Sequence, residues 1–268
     1  MTKAEYTKYT ILGCGSSCGV PRPNGDWGAC NRFEPKNRRQ RTSLLVERYA
    51  NATDKTTIVI DTGPDFAAQM LKAQVSHIDA VLYTHAHADH THGIDDLRSY
   101  ALVQKDLLPL YANTNTLEYL HKSFGYCFQT PPGSNYPPIL KANSLTMQQT
   151  YRVKGAGGAI EFMALEQIHG DINSVAFRIG DTAYCTDVSY MPEETKAKLT
   201  QLQILIIGAL QYQEHRSHFS VAQALKLIEE LQPKQAYFTH MHTALDYNTL
   251  RAELPTNVAP AYDGLSFS

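Results

Sequence analysis

Charge of one sign is scarce in this chain of 268 residues: 24 Lys and Arg stand against 26 Asp and Glu, a formal net charge of −2. That balance excludes a globally positive field able to hold long nucleic acid, although a local basic patch escapes such a count. Apolar runs are short, and none approaches the roughly eighteen residues needed to cross a bilayer, so no membrane partner is expected. Cysteines number five (Cys14, Cys18, Cys30, Cys127, Cys185), an odd and scattered set. Reduced thiols in a cytoplasmic protein fit this better than a disulfide framework. The opening residues Met1 to Lys8 are polar and lack the apolar core of a secretory leader, which points the same way. Repeats and low-complexity stretches are missing too. With 43% hydrophobic residues and no shift of composition along the chain, one globular domain over 1–268 is the expectation. A homodimer is compatible with this reading, and the sequence leaves the oligomeric state open.

Histidine is plentiful. There are 11, and four of them, His85, His87, His90 and His92, lie within eight residues. Imidazole is the commonest metal ligand and the usual proton carrier near neutral pH.

Short apolar runs bounded by turn residues read as strands: Tyr9–Leu12, Ser43–Val46, Thr57–Ile60, Ala80–Tyr83, Ile160–Leu165, Val175–Ile179, Ala183–Cys185, Ile204–Ile207 and Ala236–Phe238. Helical spacing appears over Asp65–Gln74, with Asp65 placed as a cap, over Ser220–Leu231 and over Tyr247–Leu254. Asp95 and Asp96 suit a helix start near Gly93. Two long loops, Pro21–Gly28 and Thr130–Pro138, have the length of lids or site walls. Strands first and helices between later strands, in both halves, predict an α/β architecture of two sheets with helices outside.

The run Thr84-His85-Ala86-His87-Ala88-Asp89-His90 directly follows an apolar strand. An H-x-H-x-D-H turn at a strand end offers three imidazoles and a carboxylate to more than one ion, because neighbouring side chains point in different directions. His169, Asp187 and His240 each follow another apolar run. One histidine at a strand end is usually a surface residue. Five imidazoles and two carboxylates at strand ends that gather on one edge are enough for two ions, with one carboxylate shared.

Together with Ile60-Asp61-Thr62-Gly63, this ordered set resembles the metallo-β-lactamase-fold hydrolases over essentially the whole chain. The resemblance implies an αββα sandwich of two mixed β-sheets with outer helices. It also implies a site for two divalent ions, zinc or manganese, with iron an alternative. By that pattern His85, His87 and His169 hold one ion, Asp89, His90 and His240 the other, and Asp187 bridges them. Asp89 counts as a catalytic candidate as well. Asp61 orients the histidine turn.

A closer likeness lies in Leu12-Gly13-Cys14-Gly15-Ser16-Ser17-Cys18-Gly19-Val20-Pro21, in Arg38-Arg39-Gln40-Arg41-Thr42-Ser43, and in His218 before the helix at Ser220. These segments are similar to the PhnP-type cyclic phosphodiesterases, which open phosphoribosyl 1,2-cyclic phosphate and whose relatives process RNA. The likeness implies that His218 assists at the phosphate and the leaving group, with the following helix end favouring an anion through its N–H groups. A small anionic phosphoester is the expected substrate. His242, Ser16, Ser17 and Arg41 are candidates for contacting it. The family's cysteine cluster for a structural zinc is reduced to Cys30, with Gly25 and Trp27 where its partners would stand, so no third zinc of that kind is expected.

Competing readings are a glyoxalase-type thioester hydrolase, which uses nearly the same ligands, and an RNA-processing nuclease. A flavodiiron-type redox enzyme would require a glutamate where His87 stands. His92 reads as a surface or supporting residue, while His77, His121 and His215 have no supporting neighbours. Arg98 is a further phosphate candidate. Trp27, Tyr126 and Phe128 read as loop packing ahead of base stacking.

Overall fold

The computed structural model describes residues 5–268. Its first seven-stranded sheet holds β1 (Tyr6–Gly13), β2 (Ser43–Tyr49), β3 (Lys55–Ile60), β4 (Ala80–Leu82), β5 (Leu108–Ala112) and β6 (Leu140–Ser144) in chain order. The second holds β7 (Thr150–Gly155), β8 (Gly158–His169), β9 (Ile172–Ile179), β10 (Thr182–Cys185), β11 (Ile204–Gly208), β12 (Gln235–Thr239) and β13 (Val258–Pro260). The last strand, β14 (Ser266–Phe267), returns to the first sheet beside β1. Both sheets are mixed. β1–β3 and β7–β10 pair antiparallel, whereas β3–β6 and β10–β13 pair parallel.

Central strands are apolar on both faces because each face meets a different layer. In β3, Ile58 and Ile60 join the core between the sheets, while Val59 turns outward. There it meets Phe66 and Met70 of α1 (Phe66–Ala73). The turn of helix α2 (Ala88–Thr91) lies within the histidine segment. The same outer core takes Ala101 of α3 (Arg98–Gln104) and Leu120 of α4 (Thr114–Phe124). Beyond α5 (Glu193–Lys198), α6 (Val221–Leu231) lays Ala224, Leu227, Ile228 and Leu231 on the second sheet, and α7 (Tyr247–Glu253) adds Leu250. The result is the αββα sandwich expected from the sequence.

Most expected elements appear with ends shifted by a few residues. Ser220 starts α6 with a full capping box: its Oγ accepts from Gln223 N at 3.3 Å, and its own N–H donates to Gln223 Oε1 at 2.9 Å. Asp65 behaves differently from the expectation of a cap. Its carboxylate makes no capping bond to α1 and instead accepts from Arg41 N at 2.8 Å and pairs with Arg41 Nε at 3.0 Å. Arg41 thus holds this carboxylate through its backbone amide and its guanidinium together, and the charged donor adds to the strength of the pair.

Phe162 carries the contact between the two sheets, buried against Phe177 at 5.9 Å and against Tyr111 of β5 at 5.5 Å between ring centroids. Phe162→Ala is expected to lower unfolding stability by about 3–5 kcal/mol in urea titration. A loss below about 1 kcal/mol would show that the two sheets are not held together at this point.

Candidate metal centre

Strands β3, β4, β8, β10 and β12 all deliver their C-terminal ends to one edge of the sandwich, and the predicted ligands sit there. Three site residues leave their strands in the left-handed region, Asp61 at φ 65°, Asp187 at φ 50° and His240 at φ 55°. Non-glycine residues adopt this conformation only where the surroundings hold them in it. Gly63 allows the histidine turn to close on the neighbouring loop, since a Cβ there would lie 2.1 Å from the Asp89 carbonyl oxygen.

Hydrogen bonds dictate where the imidazole lone pairs point. Thr84 Oγ1 donates to Asp61 Oδ2 at 2.9 Å, so its oxygen is left to accept from His85 Nδ1 at 3.0 Å. His90 Nδ1 donates to Asp61 Oδ2 at 2.7 Å, and His169 Nδ1 donates to the Ser217 carbonyl at 2.6 Å. In the neutral form of all three rings Nε2 is therefore the atom with the lone pair, and in His90 the surrounding carboxylates keep a proton there that a bound cation would displace. His85 Nε2 lies 2.9 Å and His169 Nε2 3.2 Å from His87 Nδ1, so three nitrogens converge with at most one proton among them.

The second group is richer in carboxylate. His90 Nε2 stands 3.3 Å from Asp89 Oδ2 and 3.2 Å from Asp187 Oδ2, yet it is buried without a hydrogen-bond partner. His240 Nε2 lies 3.3 Å from both Asp89 Oδ2 and Asp187 Oδ1. Asp187 Oδ1 also reaches to 3.6 Å from His169 Nε2, which places this carboxylate between the two groups. A buried, unpartnered nitrogen beside lone pairs aimed at a common point, with carboxylate among them, is a donor set that fits divalent metal ions.

The same crowding sets the protonation directions. Burial would lower His90, but Asp187, Asp89 and Asp61 outweigh it and hold that imidazole well above its ordinary value. Burial would lift Asp187 and Asp89, yet His240 and His90 hold the first, and His90 and His240 the second, well below the usual carboxylate range. Burial pushes His85 and His169 down. Asp61 is raised by its complete burial, against the donors around it.

His218 stands at the rim. Its ring stacks on His240 at 4.8 Å and meets His169 edge-on at 4.6 Å, with Nδ1 3.6 Å from Asp187 Oδ1. Burial, reinforced by His240, pushes its pKa down to about 3, so it is neutral at pH 7. Three of the N–H groups at the start of the helix behind it are already engaged within the protein. Val221 N donates to the Gln211 carbonyl, and the capping box uses the N–H groups of Ser220 and Gln223.

Other candidates scatter. His242 Nε2 is 2.6 Å from Arg22 Nη2 in the Pro21–Gly28 loop. Ser16 is buried, its N–H donating to the Met241 carbonyl beside His240, whereas Ser17 is exposed. Arg41 is occupied by Asp65. His92 is exposed and packs on Phe124, His121 packs on Phe128, and His77 faces Asp79. Arg98 pairs with Asp95. Sequence reasoning passed over Thr84 and the Ser217 carbonyl, which orient His85 and His169, and over His215, whose ring lies 5.2 Å from His218. The His215-x-x-His218 spacing was a signal for the last; the other two became visible only once the loops had folded.

The β-lactamase superfamily domain model matches residues 56–241. A solved diphosphatase of the PhnP family is 32% identical, with 98% of this chain and 97% of that one covered at a TM-score of 0.87. The zinc-bound PqqB of Methylobacterium extorquens, 16% identical, shares the fold over 97% of this chain and 99% of its own at a TM-score of 0.76. An octanoyltransferase of Porphyromonas gingivalis (strain ATCC BAA-308 / W83) is 33% identical over 260 residues, 95% of this chain and 50% of that protein. The chain thus spans about half the length of the curated relative it matches.

Asp61 holds His90 and the Thr84 amide at once, at 2.7 Å and 2.8 Å. Asp61→Asn, which cannot accept all three bonds, is expected to weaken zinc affinity about 10–100-fold in competition with a chromophoric chelator. Unchanged affinity would show that the turn holds its shape without that carboxylate.

Proposed function

The chain belongs to the β-lactamase superfamily, and within it to the PhnP family of metal-dependent hydrolases; from that premise we propose that it hydrolyses a small phosphodiester, cyclic or linear. The observation that carries this reading is the neutral His218 at the open rim of the centre, stacked on His240 and beside Asp187. In this reading residues 1–268 form one cytoplasmic hydrolase domain with a small anionic substrate.

His85, His87 and His169 would hold one divalent ion, and Asp89, His90 and His240 a second, with Asp187 shared between them. When bound, such ions activate water and neutralise charge on phosphoryl oxygens. The nitrogen and oxygen donors suit zinc, manganese or iron alike.

The chain's own residues supply position and protons. Asp61 and Thr84 hold the histidine turn in register, and the Ser217 carbonyl orients His169. Asp89 would accept a hydrogen bond from the attacking water. His218 enters the reaction neutral, with one N–H to donate to a phosphoryl oxygen. The arriving negative charge favours the imidazolium, so His218 can take up a proton from solvent and pass it to the departing alkoxide, while the attacking water gives up one of its own to solvent. The diphosphatase activity named for the relative at 32% identity supports a second reading, cleavage of a phosphoanhydride with the same residues in the same roles.

His218→Ala is expected to lower kcat about 10²–10⁴-fold with metal content unchanged by elemental analysis. Loss of metal in that variant would make His218 a ligand. A screen of the metal-loaded protein against 2′,3′-cyclic nucleotides, bis(p-nitrophenyl) phosphate, a nucleoside diphosphate and a glutathione thioester is expected to show turnover of the phosphorus compounds. Thiol release alone would overturn the phosphoester reading in favour of thioester hydrolysis.

A further inference from the structure

A groove of about 720 Å³ opens beside the metal centre, and its wall carries Arg22, Lys36, Arg38, Arg39, Arg41 and Lys72. Two of these cations tie it to the site. Arg22 Nη2 is 2.6 Å from His242 Nε2, two residues past His240. Arg41 Cβ lies 3.3 Å from where a Gly63 side chain would begin, the same spot closed off by the Asp89 carbonyl.

Few of these charges meet a carboxylate, although Lys36 donates to Tyr247 Oη at 3.2 Å and lies over the Tyr247 and Tyr262 rings at 4.5 and 4.8 Å, and Arg38 lies over Trp27 at 5.3 Å. Arg22 pairs with Asp26 at 2.8 Å and Arg41 with Asp65 at 3.0 Å. Among the described residues, Lys36, Arg38, Arg39 and Lys72 have no carboxylate within 4.0 Å. The remaining carboxylate of the wall, Asp263, is turned to the backbone, accepting from Cys14 N at 3.1 Å and Gln40 N at 2.7 Å. Arg39 is 2% exposed and bound only by neutral acceptors, the Leu245 carbonyl at 2.7 Å, Asn37 Oδ1 at 3.2 Å and the His242 carbonyl at 3.3 Å. Its Nε–H has no partner at all. A guanidinium does not shed its proton to relieve burial, so the full charge stays in the groove wall.

Four cations without carboxylate partners in one concavity, on a chain whose net charge is −2, repel one another and favour an anion of matching charge. A single phosphomonoester carries about two negative charges, which leaves half of them unanswered. A terminal diphosphate carries about three, and its oxygens can meet cations arriving from several directions. The volume suits a group of nucleotide size. We propose that this groove is a second anion subsite that binds a diphosphate arm carried by the substrate at a distance from the scissile bond. The proposal rests on the phosphoester reading of the metal centre and narrows its substrate class.

The test uses the metal-loaded protein and adenosine 2′,3′-cyclic phosphate bearing no, one or two phosphates at its 5′ position. KM is expected to fall about tenfold with each added phosphate. In Arg38→Gln/Lys72→Gln, two exposed positions, the three KM values should draw to within about threefold of one another, and Arg38→Lys/Lys72→Arg should restore the steps. A gain that ends at the first phosphate, or one that survives in the Gln variant, would overturn the diphosphate subsite. Should none of the three be hydrolysed, the phosphoester reading fails by itself, and dissociation constants for the same series by calorimetry decide the groove by the same criterion. A short single-stranded oligoribonucleotide binding more tightly than the 5′-diphosphate, with the difference lost in the Gln variant, would assign the groove to a polymer and overturn the small-molecule arm.

Discussion

Imidazole nitrogens and carboxylates turned toward one another at one edge of the sandwich, nearly all of them buried, are the constraint around which this molecule is arranged. The second nitrogens of His85, His90 and His169 are each committed elsewhere, to Thr84, Asp61 and the Ser217 carbonyl. Their Nε2 atoms are thereby turned toward one another and toward Asp89 and Asp187. Such a cluster is costly by itself, because buried acceptors facing acceptors lose their water and gain nothing in return. A cation reverses the sign of each of those contacts. Asp61 has an outsized share in this arrangement, since one buried carboxylate fixes both the backbone of the histidine turn and the ring of its last member.

The sandwich is what makes the crowding sustainable. Parallel strands in both sheets end on the same edge, so residues more than 150 positions apart, Asp89 and His240 for instance, arrive 3.3 Å from each other. Left-handed backbone at Asp61, Asp187 and His240 is held by this packing. The core between the sheets, with Phe162 and Phe177 face to edge, supplies the stiffness that keeps the strand ends in register.

Charge is distributed on a similar logic. A nearly neutral chain gathers cations without carboxylate partners along one groove and imidazoles and carboxylates at one edge. Long-range attraction to extended polyanions is thereby weak, while a compact anionic group finds a strong local field. His218 completes the contrast, because burial keeps it neutral beside that field.

The metal-binding turn was legible because H-x-H-x-D-H after an apolar strand is local, and His169, Asp187 and His240 were legible because each follows a strongly apolar run. β5, β6 and β7 were not. Leu108–Ala112 contains Pro109, Leu140–Ser144 is half polar, and Thr150–Gly155 lies at a sheet edge, so none carries a clear alternation. The Arg38–Arg41 run could not be sorted from its sequence either. Arg38 is exposed, Arg39 is buried in the groove wall against the 242–245 loop and Arg41 pairs with Asp65, because an isolated bridge between Val20 and Arg39 sets which side chains point inward. Residue chemistry and local spacing thus pointed to the kind of centre this protein carries, and the resemblance they supported implied the sandwich that holds it. Which cations lack a carboxylate partner, and which nitrogens keep their lone pairs, only the tertiary structure decided, because both depend on partners contributed by distant loops.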